Sequence, residues 1–471
     1  MTDELPSTIA EAAEALRARR ISSVELTRAL LERARATQDS IGAFQAFTEE
    51  TALTAAQVAD AELAKGPERG PLQGVPLGIK DILATSDAPT TASSQVLDPT
   101  WGQRADATSV RKLREAGAVI LGKLVLHEYA IGWPDPDTGM RFARNPWDLA
   151  RSPGGSSSGT GAALAAGAIL GGLGTDTGGS IRGPASFCGI SGLKATFGRV
   201  SKEGCVPLSY SLDHIGPMAR TARDCALLLQ VIAGFDPLDP TTVRREVPNY
   251  ADALNGSVRG VRIGVPRAYF FDTPELNAET RAAVEKAIDD LGRAGAVVRE
   301  VSLPHAAEAR IAQRVIMLGE AYAYHQANLQ MQPIAYGKNT RRQITQGALF
   351  SAADYVQAQR LRSIVKTEVL TAMADLDVLV TPTSLAVASA FEGYDPDSMR
   401  RLPSFTSIWN LTGQPALSVC GGFSSQGLPV GLQIVGKPFD EATVLRVGDA
   451  YQQLTDWHTR RPAAAREAQP A

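Results

Sequence analysis

Histidine is scarce in this chain, with five among 471 residues. Chemistry that needs a histidine base therefore has few positions to draw on. Cysteine is nearly as rare, and Cys188, Cys205, Cys225 and Cys420 follow no C-x-x-C spacing. That excludes the common zinc arrangements and a disulfide framework, and reduced thiols suit a cytoplasmic protein without metal or organic cofactor. An excess of either charge is also missing: 47 Lys and Arg against 50 Asp and Glu give a net charge of −3. No electrostatic footprint for nucleic acid or an anionic membrane follows from that balance. Long apolar runs are absent too. The weakly apolar "GAALAAGAILGGLG" from Gly161 is too short and too glycine-rich to span a bilayer, and the opening "MTDELPSTIA" lacks the apolar centre of a secretory signal.

What is present is ample core material, 44% hydrophobic residues with 21% charged, the composition of a globular protein. The N-terminal 65 residues read as a helical segment packed on a core. Thr8-x-x-Glu11 and Ser22-x-x-Glu25 each have the spacing of a capping box before an amphipathic run. From about residue 74 short apolar strands alternate with helices: "GVPLGIK", then "TSVRKLREA" and "GAVILGKLVL", then "GLGTD", and later "GVRIGV", "AVVREVSL", "DVLVTPT", "ALSVCGG" and "PVGLQIVG". This rhythm predicts one large α/β/α body over 66–461, its mixed, largely parallel twisted sheet covered by helices on both faces. The tail 462–471, "PAAAREAQPA", reads as disordered.

Two glycine-rich clusters carry the chemistry. "SPGGSSSGTG" (152–161) contains G-x-S-x-G around Ser157, the pattern of a nucleophile elbow. It also allows a phosphate cradle, weakened by the absence of a following Gly-Lys-Ser/Thr, or a plain flexible loop. "GTDTGGSIRGP" (174–184) places Gly178 and Gly179 before Ser180, where successive backbone N–H groups can turn inward to hold an oxyanion. Asp176 and Arg182 flank that turn and can pair across it. A serine needs a base. Lys80, Lys123 and Lys194 each end an apolar stretch, and composition alone does not choose among them; the alternative for each is a snorkelling surface lysine.

Taken together, "GVPLGIKD" (74–81), "NPWDLARSPGGSSSGTGAALAAG" (145–167), "GLGTDTGGSIRGPASFCGISGLKATFGRVS" (172–201), "DHIGPMARTARD" (213–224), "NLTGQPALSVCGG" and "GLPVGLQIVG" resemble the amidase signature family over most of the chain. The resemblance implies a Ser–cis-Ser–Lys triad: Ser180 as nucleophile, Ser156 as the bridging serine after a cis Gly155–Ser156 bond, and Lys80 as terminal base. It further implies an oxyanion hole from the N–H groups of Thr177, Gly178, Gly179 and Ser180, with Ser157 supporting the bridge. No histidine is then required.

The activity so implied is hydrolysis of carboxamide C–N bonds through an acyl-enzyme. Tyr129, Ala130, Ile131, Gly132 and Trp133, with Met140 and Phe142 of the same loop and with Tyr210, Ile316, Leu318 and Trp409, are candidates for an apolar substrate pocket. They favour a bulky, uncharged or aryl amide, with carbamates and esters also open. The expected partner is a small-molecule substrate only, without nucleic acid or membrane, in a monomer or homodimer. An alternative is the glutaminase component of a tRNA-dependent amidotransferase, which shares these motifs. There an acidic residue shortly before N-L-x-G-x-P reads the substrate α-amino group, and this chain has "RLPSFTSIWNLTG", with Pro403 or its neighbours at that place. A non-catalytic ligand-binding protein on the same scaffold is the third reading, but it is expected to have lost Lys80, Ser156 or Ser180.

Overall fold

The computed structural model describes residues 5–463 apart from 67, 104, 136, 137 and 400, so the predicted tail lies almost wholly outside the described residues. Its centre is one sheet of eleven strands: β1 (Phe44–Phe47), β2 (Pro76–Lys80), β3 (Val119–Leu124), β4 (Gly171–Asp176), β5 (Ser191–Lys194), β6 (His214–Ala219), β7 (Arg262–Pro266), β8 (Val297–Val301), β9 (Val378–Pro382), β10 (Ala416–Phe423) and β11 (Pro429–Gly436). Their spatial order is β1-β3-β2-β4-β6-β5-β10-β11-β9-β7-β8. Helices cover both faces, giving a single-domain α/β fold.

The sheet is mixed, but six of its ten neighbouring pairs are antiparallel, so parallel pairing is confined to β3-β2-β4 and β9-β7-β8. β6, "HIGPMA", returns antiparallel beside β4, and β5, "SGLK", pairs antiparallel with β6, instead of through right-handed parallel crossovers. The first 65 residues are likewise not helical throughout. β1 pairs antiparallel with β3 and extends the sheet at its edge.

Local signals behave as their chemistry dictates. Ser22 and Glu25 form a full reciprocal capping box at helix Ser23–Ala36. Thr8 accepts from the Glu11 N–H, but the Glu11 carboxylate turns instead to the N–H and hydroxyl of Ser7. Because β2 and β4 run parallel as neighbours, Lys80 and Asp176 leave the sheet at the same edge. That is the edge at which α/β sheets build their sites. Among the described residues no helix is long and apolar enough to cross a membrane.

Candidate active site

Lys80 ends β2 completely buried, with its Nζ 2.8 Å from Ser156 Oγ and 2.7 Å from Thr175 Oγ1. Both neighbours are neutral hydroxyls. Burial pushes the ammonium from 10.5 down to about 7, opposed only in part by the more distant Cys205, Asp176 and Asp213. The amine is thus substantially uncharged near neutral pH.

The other two lysines are also fully buried, so the snorkelling alternative fails for all three. Their partners differ. Lys123 pairs with the Asp81 carboxylate at 3.0 Å and reaches the Leu83 carbonyl and Thr90 hydroxyl. Lys194 is held by the Ala195 and Gln414 carbonyls and lies 3.3 Å from His214 Nε2.

Ser156 stands in the loop before helix Ser158–Ala165, and its peptide bond with Gly155 is cis. This loop is buried by close packing, not left flexible. The His127 ring fills the space that a Cβ on Gly155 would occupy. Ser157 is fully buried, receiving the Thr175 N–H and donating to the Thr175 carbonyl, both at 3.2 Å. It fastens the loop to β4, which is not the exposed position that an elbow nucleophile occupies. The Ser157 N–H also donates to the Ser180 carbonyl at 3.2 Å, setting the two serine loops edge to edge.

Beneath Ser180 lies a buried ion pair. Arg182 meets both Asp176 oxygens, at 2.8 Å from Nη2 and 3.0 Å from Nε, and also reaches the Thr406 carbonyl, Gln433 and Asn410. The carboxylate receives the N–H groups of Gly179 and Ile181 as well. Burial pushes its pKa up, but the Arg182 guanidinium and the Asn410 amide outweigh burial and hold the carboxyl well below the usual range. Asp176 is therefore a fixed anion that staples the turn. Gly179 has φ +134°, and the Thr406 side chain fills the space a Cβ would need, so no other residue fits there.

His127 donates from Nδ1 to the Gly132 carbonyl at 2.9 Å, and burial lowers its pKa to about 4. His214 binds backbone carbonyls of Leu212 and Asp176 through Nδ1.

The candidate pocket residues separate into three groups. Ile316, Leu318 and Trp409 are fully buried in the core, Trp409 stacking on Phe270 at 5.8 Å. Tyr129 is also buried, edge-on to His325 at 4.3 Å, and Ala130 and Ile131 belong to the same core. For these, helical or loop spacing of apolar residues reports packing and no open lining. Gly132 turns at φ +86° to present its carbonyl to His127. Trp133 is half-buried, stacked on Tyr394 at 3.5 Å and packed against Phe391 at 5.7 Å and His127 at 6.0 Å. Tyr210 is exposed and lines a cavity of about 270 Å³ together with Thr175, Cys205 and Asp213. Met140 and Phe142 line a larger open cavity of about 500 Å³ with Gln38 and Arg144, which includes no serine or lysine named above.

Sequence reasoning missed Thr175, Gln313, Thr406 and Asn410. Thr175 and Asn410 lie inside quoted motifs but have no chemistry in isolation. Gln313 has no local signal at all.

The pattern described as Amidase matches residues 25–445. The glutamyl-tRNA(Gln) amidotransferase A-type subunit of Roseiflexus sp. (strain RS-1) is 44% identical over 97% of this chain and 98% of its own length. Among solved structures, a chain from a vestigial protein complex described as revealing the evolutionary origins of an s-triazine catabolic enzyme superposes with TM-score 0.89 at 33% identity, covering 95% of this chain and 98% of that one. The corresponding A-type subunit from Thermotoga maritima gives TM-score 0.79 at 34% identity, with 94% of each chain covered. These relatives overturn the expectation of a small-molecule enzyme working as monomer or homodimer apart from nucleic acid.

Proposed function

The chain belongs to the amidase family as a C–N hydrolase, and from that premise we propose that it is the amide-hydrolysing component of an amidotransferase-type assembly, opening the side-chain amide of glutamine. The observation that carries the chemistry is the buried Lys80 amine, 2.8 Å from Ser156 Oγ, with no carboxylate among its hydrogen-bond partners in the described residues.

Ser180 attacks the amide carbonyl while its proton passes to Ser156 Oγ, and the Ser156 proton passes to neutral Lys80. Lys80 keeps its orientation by donating to Thr175 Oγ1. The tetrahedral oxyanion is met by backbone N–H groups of the 177–180 turn. The Gly179 N–H is already committed to Asp176 at 2.8 Å, so Thr177, Gly178 and Ser180 supply the free donors. Collapse returns the proton through Ser156 to the leaving nitrogen, releasing ammonia and an acyl-Ser180 ester. Water then repeats the sequence and frees the acid.

A second reading is favoured by the stretch around Pro403, which stands where an amino-group-reading acid is expected, and by the half-buried wall of Trp133, Phe391 and Tyr394. On it the same serine cleaves a bulkier amide, anilide or carbamate. One experiment separates the two: ammonia or amine release from glutamine, small amides, anilides and carbamates, with and without co-expressed partner subunits. Glutamine turnover that rises with partners, and is lost in Ser180→Ala, is the expected result. Turnover of anilides or carbamates alone, indifferent to partners, selects the second reading.

A further inference from the structure

Four successive carbonyls in the nucleophile turn each have their own donor. The Asp176 carbonyl receives Asn410 Nδ2 at 2.9 Å, and that of Thr177 receives Gln313 Nε2 at 3.0 Å. The Gly178 carbonyl receives Thr406 Oγ1 at 2.6 Å, and that of Gly179 receives the Gly183 N–H at 2.7 Å. In a trans peptide the C=O points opposite to the N–H of the next residue. Holding these four oxygens therefore fixes the directions of the N–H groups of Thr177, Gly178, Gly179 and Ser180.

The holders are not equivalent. The Gly178–Gly179 plane is gripped at both ends, by Thr406 on its oxygen and by Asp176 on its N–H. Asn410 also bonds the Asp176 carboxylate and Arg182, so its loss would disturb the ion pair. Gln313, in helix Ala306–Met331, is the side chain that grips the oxygen of the Thr177–Gly178 plane. Its amide nitrogen lies 3.2 Å from the Cβ position of Gly178, and its side chain is buried.

We infer that Gln313 is a positioning residue of the reaction: it aims the Gly178 N–H at the developing oxyanion by holding the far side of the same peptide. The inference rests on Ser180 being the nucleophile. A preorganised donor stabilises the charge of the transition state without reorganising during reaction, whereas a peptide free to rock loses part of that stabilisation. Gln313 itself touches neither nucleophile nor substrate in this scheme.

The test is the phosphonylation of Ser180 by a 4-nitrophenyl alkylphosphonate, followed by nitrophenolate release and by mass of the labelled peptide. It needs no knowledge of the natural substrate, and its attacking step also develops charge on an oxygen facing the turn. Gln313→Met keeps the length and removes the donor. The expected result is phosphonylation slowed about a hundredfold, an equal fall in amide kcat with KM little changed, and a Tm lowered by only a few degrees, as one lost buried hydrogen bond dictates. Thr406→Val, acting on a plane held at its other end, is expected to slow it less than tenfold. If Gln313→Met does not fold, Gln313→Glu, of equal length with a carboxylate facing the carbonyl, carries the same expectation. A Gln313 variant labelled at the wild-type rate overturns the inference, as does a loss that appears only as a lowered Tm or raised KM. Wild-type protein left unlabelled at Ser180 overturns the nucleophile assignment instead.

Discussion

Two buried lysines sit on adjacent strands in paired register, Lys123 opposite Ile79 and Lys80 one residue beyond it. Both are fully buried, and burial depresses both ammonium groups. Lys123 has a carboxylate at 3.0 Å. Lys80 has two hydroxyls. The difference teaches that burial alone does not make a base. A buried lysine with a hydrogen-bonded anion is a structural ion pair, and one among neutral hydroxyls can give up its proton at working pH.

The comparison breaks most visibly on deletion. Lys80→Met is expected to lower kcat/KM on the order of 10⁴-fold while folding intact. Lys123→Met leaves the chemistry within tenfold but strands Asp81, costing about 3–5 kcal/mol in denaturant unfolding. The double change with Asp81→Asn recovers most of that stability. Equal losses of activity in both lysine variants would erase the distinction.

A pH titration sharpens it. Activity is expected to rise through an apparent pKa of about 7 as Lys80 loses its proton. The same shift has a stability consequence whose sign is fixed. The folded-state value lies below the unfolded value of 10.5, so between about 7 and 10.5 the unfolded chain binds more protons and stability increases with pH. Lys80→Met removes that slope, so unfolding should show the variant more stable than wild type at pH 6, with the gap closing towards pH 10.5. Thr175→Asp, placing a carboxylate beside Lys80, should move the activity pKa upward as if Lys80 had become a second Lys123. A profile left near 7 in that variant counts against the hydroxyl-lined amine.

Ser157→Ala gives the smallest effect. It removes two hydrogen bonds to Thr175, worth about 1 kcal/mol each, and about a tenfold fall in kcat is the outcome to measure.

Much of this was legible from residue order because the strands that carry Lys80 and Lys123 are apolar runs, and Asp176 ends a glycine-rich strand that lies inside a long motif. β5 and β6 were not, since "SGLK" and "HIGPMA" hold a lysine, a histidine and a proline whose burial only the finished sheet supplies. Lys80, Ser156 and Ser180 were reachable through long motifs, whereas nothing local separated Lys80 from Lys123: their partners, Thr175 and Asp81, are chosen by strand register. Gln313 was invisible for a related reason. Its role consists of one hydrogen bond to a carbonyl 136 positions earlier in the chain. Ile316 and Trp409 erred the other way, as apolar side chains whose type suits a pocket and a core equally well.

The reach of Arg182 has a consequence for synthesis. Its guanidinium is held by Thr406, Asn410 and Gln433, more than 220 residues downstream. A nascent chain that has released only its first half from the ribosome already contains both serines, the lysine and Asp176, yet lacks the three distant partners that complete the hold on the arginine. The full set of bonds around this guanidinium can therefore close only after translation has passed Gln433.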